Sequence, residues 1–171
     1  MRRLYFAYGS NINLEQMAFR CPRAEVVGPV ILENYELLFR GNHTHFGVAT
    51  IRPKEGSQVP GLLWELTPAC EQSLDRYEGY PSFYEKETVS VRDREGNIIP
   101  CMVYVMTRER MRSPALPSQS YYDGIRQGYQ ENGLSLEALD QAVDFACVEV
   151  AVRDQQARQK PPAKQNPYPT R

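Results

Sequence analysis

Between residues 26 and 65 the chain carries three β-rich stretches in succession, Val26 to Arg40, Phe46 to Arg52 and Val59 to Glu65, set apart by segments containing Gly and Pro. That punctuation is the one expected between strands, and no helical pattern intervenes. A shorter apolar run, Arg3 to Tyr8, precedes them and ends in the turn Gly9-Ser10-Asn11. Two more strand patterns follow, Phe83 to Val91 and Ile98 to Met106, joined by Arg94-Glu95-Gly96-Asn97 as a hairpin. Strands grouped in this way, with helices before and after, predict an α+β fold. Its form is a small, largely antiparallel curved sheet or barrel with peripheral helices.

Local signals place the helices. Asn13 caps a first helix with Glu15 in its opening turn, and that helix stops before Cys21-Pro22. Thr67-Pro68 opens a second, with Cys70, Leu74 and Tyr77 recurring on its core face and Gly79 as the C-terminal cap. After a loop rich in Pro and Ser, a third helix spans about Ser118 to Asn132, with Tyr121, Ile125 and Tyr129 on one stripe. Ser135 caps a fourth, whose apolar face is Leu136, Leu139, Val143 and Val150. From Asp154 onward the composition changes: four prolines, several basic residues and little that is apolar. The expected organisation is one domain over residues 1–153 and a flexible Pro/basic tail over 154–171.

Charge and composition narrow the function. Twenty basic residues balance 21 acidic ones, which gives no basic footprint for nucleic acid. The mean hydropathy of −0.55 and the lack of a long apolar run give no membrane span. The N-terminal apolar stretch is too short for a secretory signal, so a cytoplasmic protein is expected. Cys21, Cys70, Cys101 and Cys147 are scattered without a CxxC pair and read as small buried apolar residues. His43 and His45 are the only histidines and read as a polar turn; a catalytic zinc site usually has three protein ligands, so no metal is expected. No heptad pattern argues for self-association, and a monomer is the default.

Two places carry chemistry on their own pattern. Tyr8-Gly9-Ser10-Asn11 lies between a strand and a helix start, where Gly permits positive φ and Asn tolerates the left-handed region. It is either an ordinary tight turn or a loop whose successive amides converge on an anion. Glu78 sits at the C-terminal end of the second helix, beside Tyr77 and Tyr80. It is either a solvated surface glutamate or a carboxyl raised toward neutrality by the macrodipole and by aromatic desolvation. Glu85 and Glu87 are rival carboxylates, with Lys86 and Arg92 beside them as a surface ladder. Among the 11 tyrosines, Tyr104 and Tyr121 read either as core aromatics or as phenols turned into a polar pocket. There is no G-x-S-x-G elbow, no Walker loop and no G-x-G-x-x-G.

Taken together, Tyr8-Gly9-Ser10-Asn11, Leu74-Asp75-Arg76-Tyr77-Glu78-Gly79 and Glu131-Asn132-Gly133-Leu134 resemble the γ-glutamylcyclotransferase family in order and spacing, over roughly residues 4 to 135. The resemblance implies a small mixed α+β barrel. It implies a cofactor-free enzyme that releases 5-oxoproline when the α-amine of a γ-glutamyl amine or amino acid attacks its own γ-carbonyl. Glu78 matches the family's catalytic glutamate, as general base and then general acid. Tyr8, Gly9, Ser10, Asn11, Ile12 and Asn13 match the substrate loop, with Gly9 to Ile12 offering amides to a carboxylate or a developing oxyanion. Tyr104 and Tyr121 match pocket tyrosines, with Tyr122 as the alternative to Tyr121. The partner so implied is a small γ-glutamyl donor, whose identity rests on loops such as Asn42 to His45 and Met111 to Ser118. The competing reading is a non-catalytic small-ligand binding module on the same scaffold; a third gives the basic tail a role in partner capture.

Overall fold

A computed structural model describes residues 1–41 and 46–160. The described residues form strands β1 (Arg3–Ala7), β2 (Glu25–Arg40), β3 (Val48–Leu66), β4 (Tyr84–Arg92) and β5 (Ile98–Met106). The helices are α1 (Leu14–Arg20), α2 (Pro68–Glu78), α3 (Gln119–Glu131) and α4 (Glu137–Gln159); a 3₁₀ turn, Ser10–Ile12, links β1 to α1, and another, Arg110–Arg112, follows β5. The strands close into a barrel in the order β1-β3-β2-β4-β5. Every pairing is antiparallel except β1 with β5, which are parallel and meet at Tyr5 and Met102. The α+β barrel expected from the strand pattern is therefore the fold, and its closure removes the open sheet edges.

The barrel is lined by apolar residues with essentially no solvent contact, among them Phe6, Phe39, Ile51, Leu62, Leu63 and Val103. One expectation fails in the sheet. The expected strands over 46–52 and 59–65 are not separate; from Val48 onward they belong to one strand, β3, that runs through Pro53 and Gly56. The ladder bends there: Tyr35 pairs with Pro53 and Glu33 with Gln58, so Asn34 alone lies opposite residues 54–57. Asn34 adopts a φ of 60° and its side-chain oxygen accepts from the Gly56 amide at 3.1 Å. The Pro and Gly mark a bulge inside a long hairpin, where a bulge bends the strand without ending it.

The helix ends obey their local signals. Asn13 accepts from the Gln16 amide at 3.0 Å, and Thr67 accepts from the Cys70 amide at 3.2 Å with Pro68 in the first turn. Gly79 closes α2 in the left-handed region, at φ 65°. Cys70 and Leu74 are buried as expected, but Tyr77 is about half exposed: one turn past Leu74 the helix has reached the rim of a pocket. On α4 the buried line is Leu139, Ala142 and Ala146, with Val143 half-buried. Arg40, itself buried, anchors this helix through two contacts with Glu149, at 2.7 and 3.0 Å.

Two further expectations need correction. The helix continues to Gln159, past the expected start of the tail at Asp154, because the segment from Asp154 to Gln159 still lacks proline and propagates the helix. Residues 161–171 lie outside the described residues. Cys21, Cys70 and Cys101 are buried, whereas Cys147 is exposed on α4, since it falls between the buried Ala146 and the outer face. His43 and His45 lie outside the described residues. Among those described, no helix is long and apolar enough to cross a membrane.

Candidate active site

The end of β1, the 3₁₀ turn, the C-terminus of α2 and the start of α3 meet around a cavity of about 370 Å³. Six tyrosines line it, Tyr5, Tyr8, Tyr77, Tyr84, Tyr104 and Tyr121, together with Gly9, Ser10, Asn11 and Glu78. The volume lies within the roughly 300–1,000 Å³ usual for small-molecule sites. A larger cavity, of about 720 Å³, lies between the β2–β3 bulge, the β4–β5 turn and α4. There Glu36 is paired with Arg52 and Lys54, and Arg92 with Glu33, so no free carboxylate is aimed into it from these pairs.

The loop is held from two sides. Trp64 Nε1 donates to the Asn11 carbonyl at 3.0 Å, which fixes the turn to β3. Asn13 Nδ2 donates to the Gly124 carbonyl at 2.9 Å, and Asn132 Nδ2 donates to the Ile12 carbonyl at 3.2 Å, which fix it to α3. Gly128 makes that approach feasible, because a Cβ there would lie 2.7 Å from the Asn13 nitrogen and 2.8 Å from Ile12 Cγ2. Gly9 does not use positive φ, contrary to expectation; its φ is −114°. Its missing side chain serves closeness instead, since a Cβ would sit 3.2 Å from that of Ala49 and 3.6 Å from Tyr121 Oη.

Ile12 and Asn13 do not reach the cavity. Ile12 is fully buried, Asn13 caps α1, and neither lines the pocket. The Ile12 and Asn13 amides are also spent within the turn, donating to the Gly9 and Ser10 carbonyls at 3.1 Å each. These inner bonds are what a 3₁₀ turn requires, so the donors available to a ligand are the preceding ones, Gly9, Ser10 and Asn11. Among the described residues none of those three amides has a partner.

Glu78 is brought to the cavity by the last turn of α2. Asn11 Nδ2 donates to Glu78 Oε1 at 3.0 Å and to Tyr5 Oη at 2.9 Å. Burial among the phenols pushes the Glu78 carboxyl up to about 7, against the opposing pull of Arg20 and the Asn11 hydrogen bond. The surface reading of Glu78 is thus replaced by a half-buried carboxyl poised near neutrality. Glu85 and Glu87 are exposed on β4. Their expected ladder does not form: Lys86 turns to Glu71 and Asp75 on α2, and Arg92 to Glu33 on β2.

The tyrosines divide by where the hydroxyl goes. Tyr121 reaches the cavity, and its oxygen accepts from the Ala49 amide at 3.0 Å. Tyr122 points to α4 and donates to Asp140 at 3.0 Å, so Tyr121 is the pocket residue of the two. Tyr104 presents its ring to the cavity, edge-on to Tyr5, while its hydroxyl donates to Asp75 and its carbonyl accepts from Tyr8 Oη at 2.6 Å. Tyr84 Oη donates to the Ala49 carbonyl at 2.6 Å. Tyr5, Tyr84 and Arg20 were missed in the sequence. The tyrosines lie within apolar strand patterns, and their abundance was the only signal; nothing in the sequence pattern singled out Arg20.

Among the described residues no group of three or more His, Cys, Asp or Glu is placed to hold a metal ion. The comparisons with known proteins agree with the geometry. A family model described as "Gamma-glutamyl cyclotransferase, AIG2-like" matches residues 5–123. The human protein named γ-glutamylcyclotransferase is 37% identical over 141 residues, covering 78% of this chain and 73% of that protein. The bovine protein of the same name is 37% identical over 142 residues, with the same coverage. A solved structure titled "Gamma-glutamyl cyclotransferase" superposes with a TM-score of 0.74 at 36% identity, covering 83% of this chain and 86% of that one. The chain belongs to the γ-glutamyl cyclotransferase, AIG2-like family.

Proposed function

We propose that the tyrosine-lined cavity closes a small γ-glutamyl donor on itself, with Glu78 carrying the protons. The donor's α-amine attacks its own γ-carbonyl, the γ-amide C–N bond breaks, and 5-oxoproline and a free amine or amino acid are released. Attacker and target belong to one molecule, so the protein's first task is to hold the donor folded. Such positioning supplies roughly 7–11 kcal/mol in favourable intramolecular reactions. Once the α-ammonium has shed one proton to solvent, the free amine attacks. Glu78, ionised, takes a second proton from that nitrogen as the new C–N bond forms and, protonated, passes it to the leaving nitrogen. The released amine regains a proton from solvent. A carboxyl near 7 suits both halves, and general acid–base catalysis of this kind contributes about 10²–10⁴-fold.

The unpartnered Gly9, Ser10 and Asn11 amides are suited to receive the glutamyl carboxylate or the oxygen on which charge develops. Tyr121 stands across from Gly9 and Tyr8 beside it, shaping the cavity around the glutamyl chain. Tyr104 acts from behind, fixing Tyr8 through its carbonyl and α2 through Asp75. The observation that carries this reading is the contact between the loop and the carboxyl, Asn11 Nδ2 to Glu78 Oε1 at 3.0 Å, inside the cavity. The test is 5-oxoproline release from a panel of γ-glutamyl amino acids, γ-glutamyl amines and glutathione. Turnover of a donor establishes the reaction and identifies the leaving group accepted. Saturable donor binding without any 5-oxoproline would refute it in favour of a binding module.

A further inference from the structure

The hydrogen bonds around Glu78 converge on a cation that does not itself line the cavity. Arg20, in the last turn of α1, is half-buried. Its Nη1 donates to Asn11 Oδ1 at 2.7 Å and to Ser10 Oγ at 3.0 Å, and its Nη2 donates to Gln16 Oε1 at 2.8 Å. The guanidinium also lies over the Tyr77 ring, 3.8 Å from its centroid, and Tyr77 immediately precedes Glu78 on α2. One side chain therefore grips both the loop and the helix end that carries the carboxyl.

Arginine has no acceptor. Only the oxygen of the Asn11 amide can face it, so the nitrogen must face the other way, toward Glu78 and Tyr5. Reversed, the amide would set oxygen against carboxylate oxygen. We propose that Arg20 is a positioning residue: it fixes the orientation of Asn11, pins the final turn of α2 through Tyr77, and sets a positive charge behind the Asn11–Glu78 contact. This inference rests on the cyclisation reading for its kinetic part only.

The groups facing Glu78 come from every surrounding element. Tyr5 and Tyr8 (from β1 and the residue after it), Tyr84 from β4, Tyr104 from β5, Tyr121 from α3 and Tyr77 on α2 itself present phenols, and Arg76, two residues before Glu78 on α2, also lines the cavity. Asp75, one turn back on α2, is engaged by Tyr104 and Lys86. Arg20 draws the Glu78 carboxyl down against burial.

The experiment follows the ¹³C resonance of the Glu78 carboxyl against pH in the wild type, Arg20→Met and Arg20→Lys, beside the pH profile of kcat/KM for 5-oxoproline release. The expected result in Arg20→Met is a titration midpoint raised by about one pH unit or more, the usual effect of losing an opposite charge. The acid limb of kcat/KM should move with it. Arg20→Lys should restore the midpoint while kcat/KM stays about 10- to 100-fold down, because an ammonium carries the charge without the fork that orients Asn11 and Ser10. A midpoint in Arg20→Met that coincides with the wild type would overturn the proposal, as would a Lys variant indistinguishable from Met. Should Arg20→Met fail to fold, Arg20→Gln removes the charge but keeps a donor for Asn11, and the same rise is expected. The resonance reads Glu78 without turnover, so a wild type that releases no 5-oxoproline would refute the proposed reaction and leave this test standing.

Discussion

Replacing Glu78 by Gln should stabilise the protein at neutral and alkaline pH while abolishing its chemistry. In the folded chain the carboxyl is raised from 4.5 to about 7. Between those values the folded state keeps a proton that the unfolded state has released, so stability falls as pH rises and levels off above about 7. At about 1.4 kcal/mol per pH unit, the ionised carboxylate costs the fold at most about 3 kcal/mol at pH 8. Gln carries no such cost, and its side-chain oxygen still accepts from Asn11 Nδ2. Urea unfolding of both proteins at intervals from pH 4 to pH 8 measures the difference, in which all other titrating groups cancel. The gap should be near zero at pH 4, open through the range from 4.5 to 7, and reach about 2–3 kcal/mol in favour of Glu78→Gln at pH 8. A gap that does not vary with pH would refute the reasoning, since it would mean that Glu78 has the same proton affinity folded and unfolded.

Three other substitutions probe the frame around the site. Tyr129 is fully buried and its hydroxyl has no partner among the described residues, so Tyr129→Phe should leave stability unchanged within about 0.5 kcal/mol or raise it, as read by urea midpoint. Among the described residues, Glu149→Leu leaves the buried Arg40 guanidinium with only the Phe39 and Met111 carbonyls, and should lower unfolding free energy by about 3–5 kcal/mol. Gly128→Ala places a Cβ against the backbone of Asn13. It should cost about 1–3 kcal/mol and lower kcat/KM through the displaced loop, whereas the exposed Gln130→Ala leaves both near wild type.

Local chemistry was legible in the sequence wherever a few adjacent residues decide the structure. Thr67-Pro68 and Gly79 bound α2 to the residue, because capping and left-handed closure are satisfied within one turn. The Arg94–Asn97 turn was legible for the same reason, with Asp93 closing it through its bonds to Asn97. The continuity of β3 was not, because whether Pro53 and Gly56 end a strand or bulge it depends on the partner, and β2 carries Asn34 opposite. In the site, Glu78, Gly9, Ser10 and Asn11 stood out from motif and helix end. Ile12 and Asn13 were misplaced because a 3₁₀ turn consumes their amides, a consequence of backbone geometry that a motif does not display. Arg20 and Tyr84 act across the fold, from α1 and β4, and nothing near them in the chain marks that reach.

The most direct test of the account is kcat/KM for 5-oxoproline release from the best γ-glutamyl donor, measured across pH for the wild type and for folded Glu78→Gln. The wild type should rise through about pH 7 as the Glu78 carboxyl ionises, and the variant should show no release above background while still binding donor. Turnover by Glu78→Gln at a rate comparable to the wild type would contradict the central claim that this carboxyl moves the protons of the reaction.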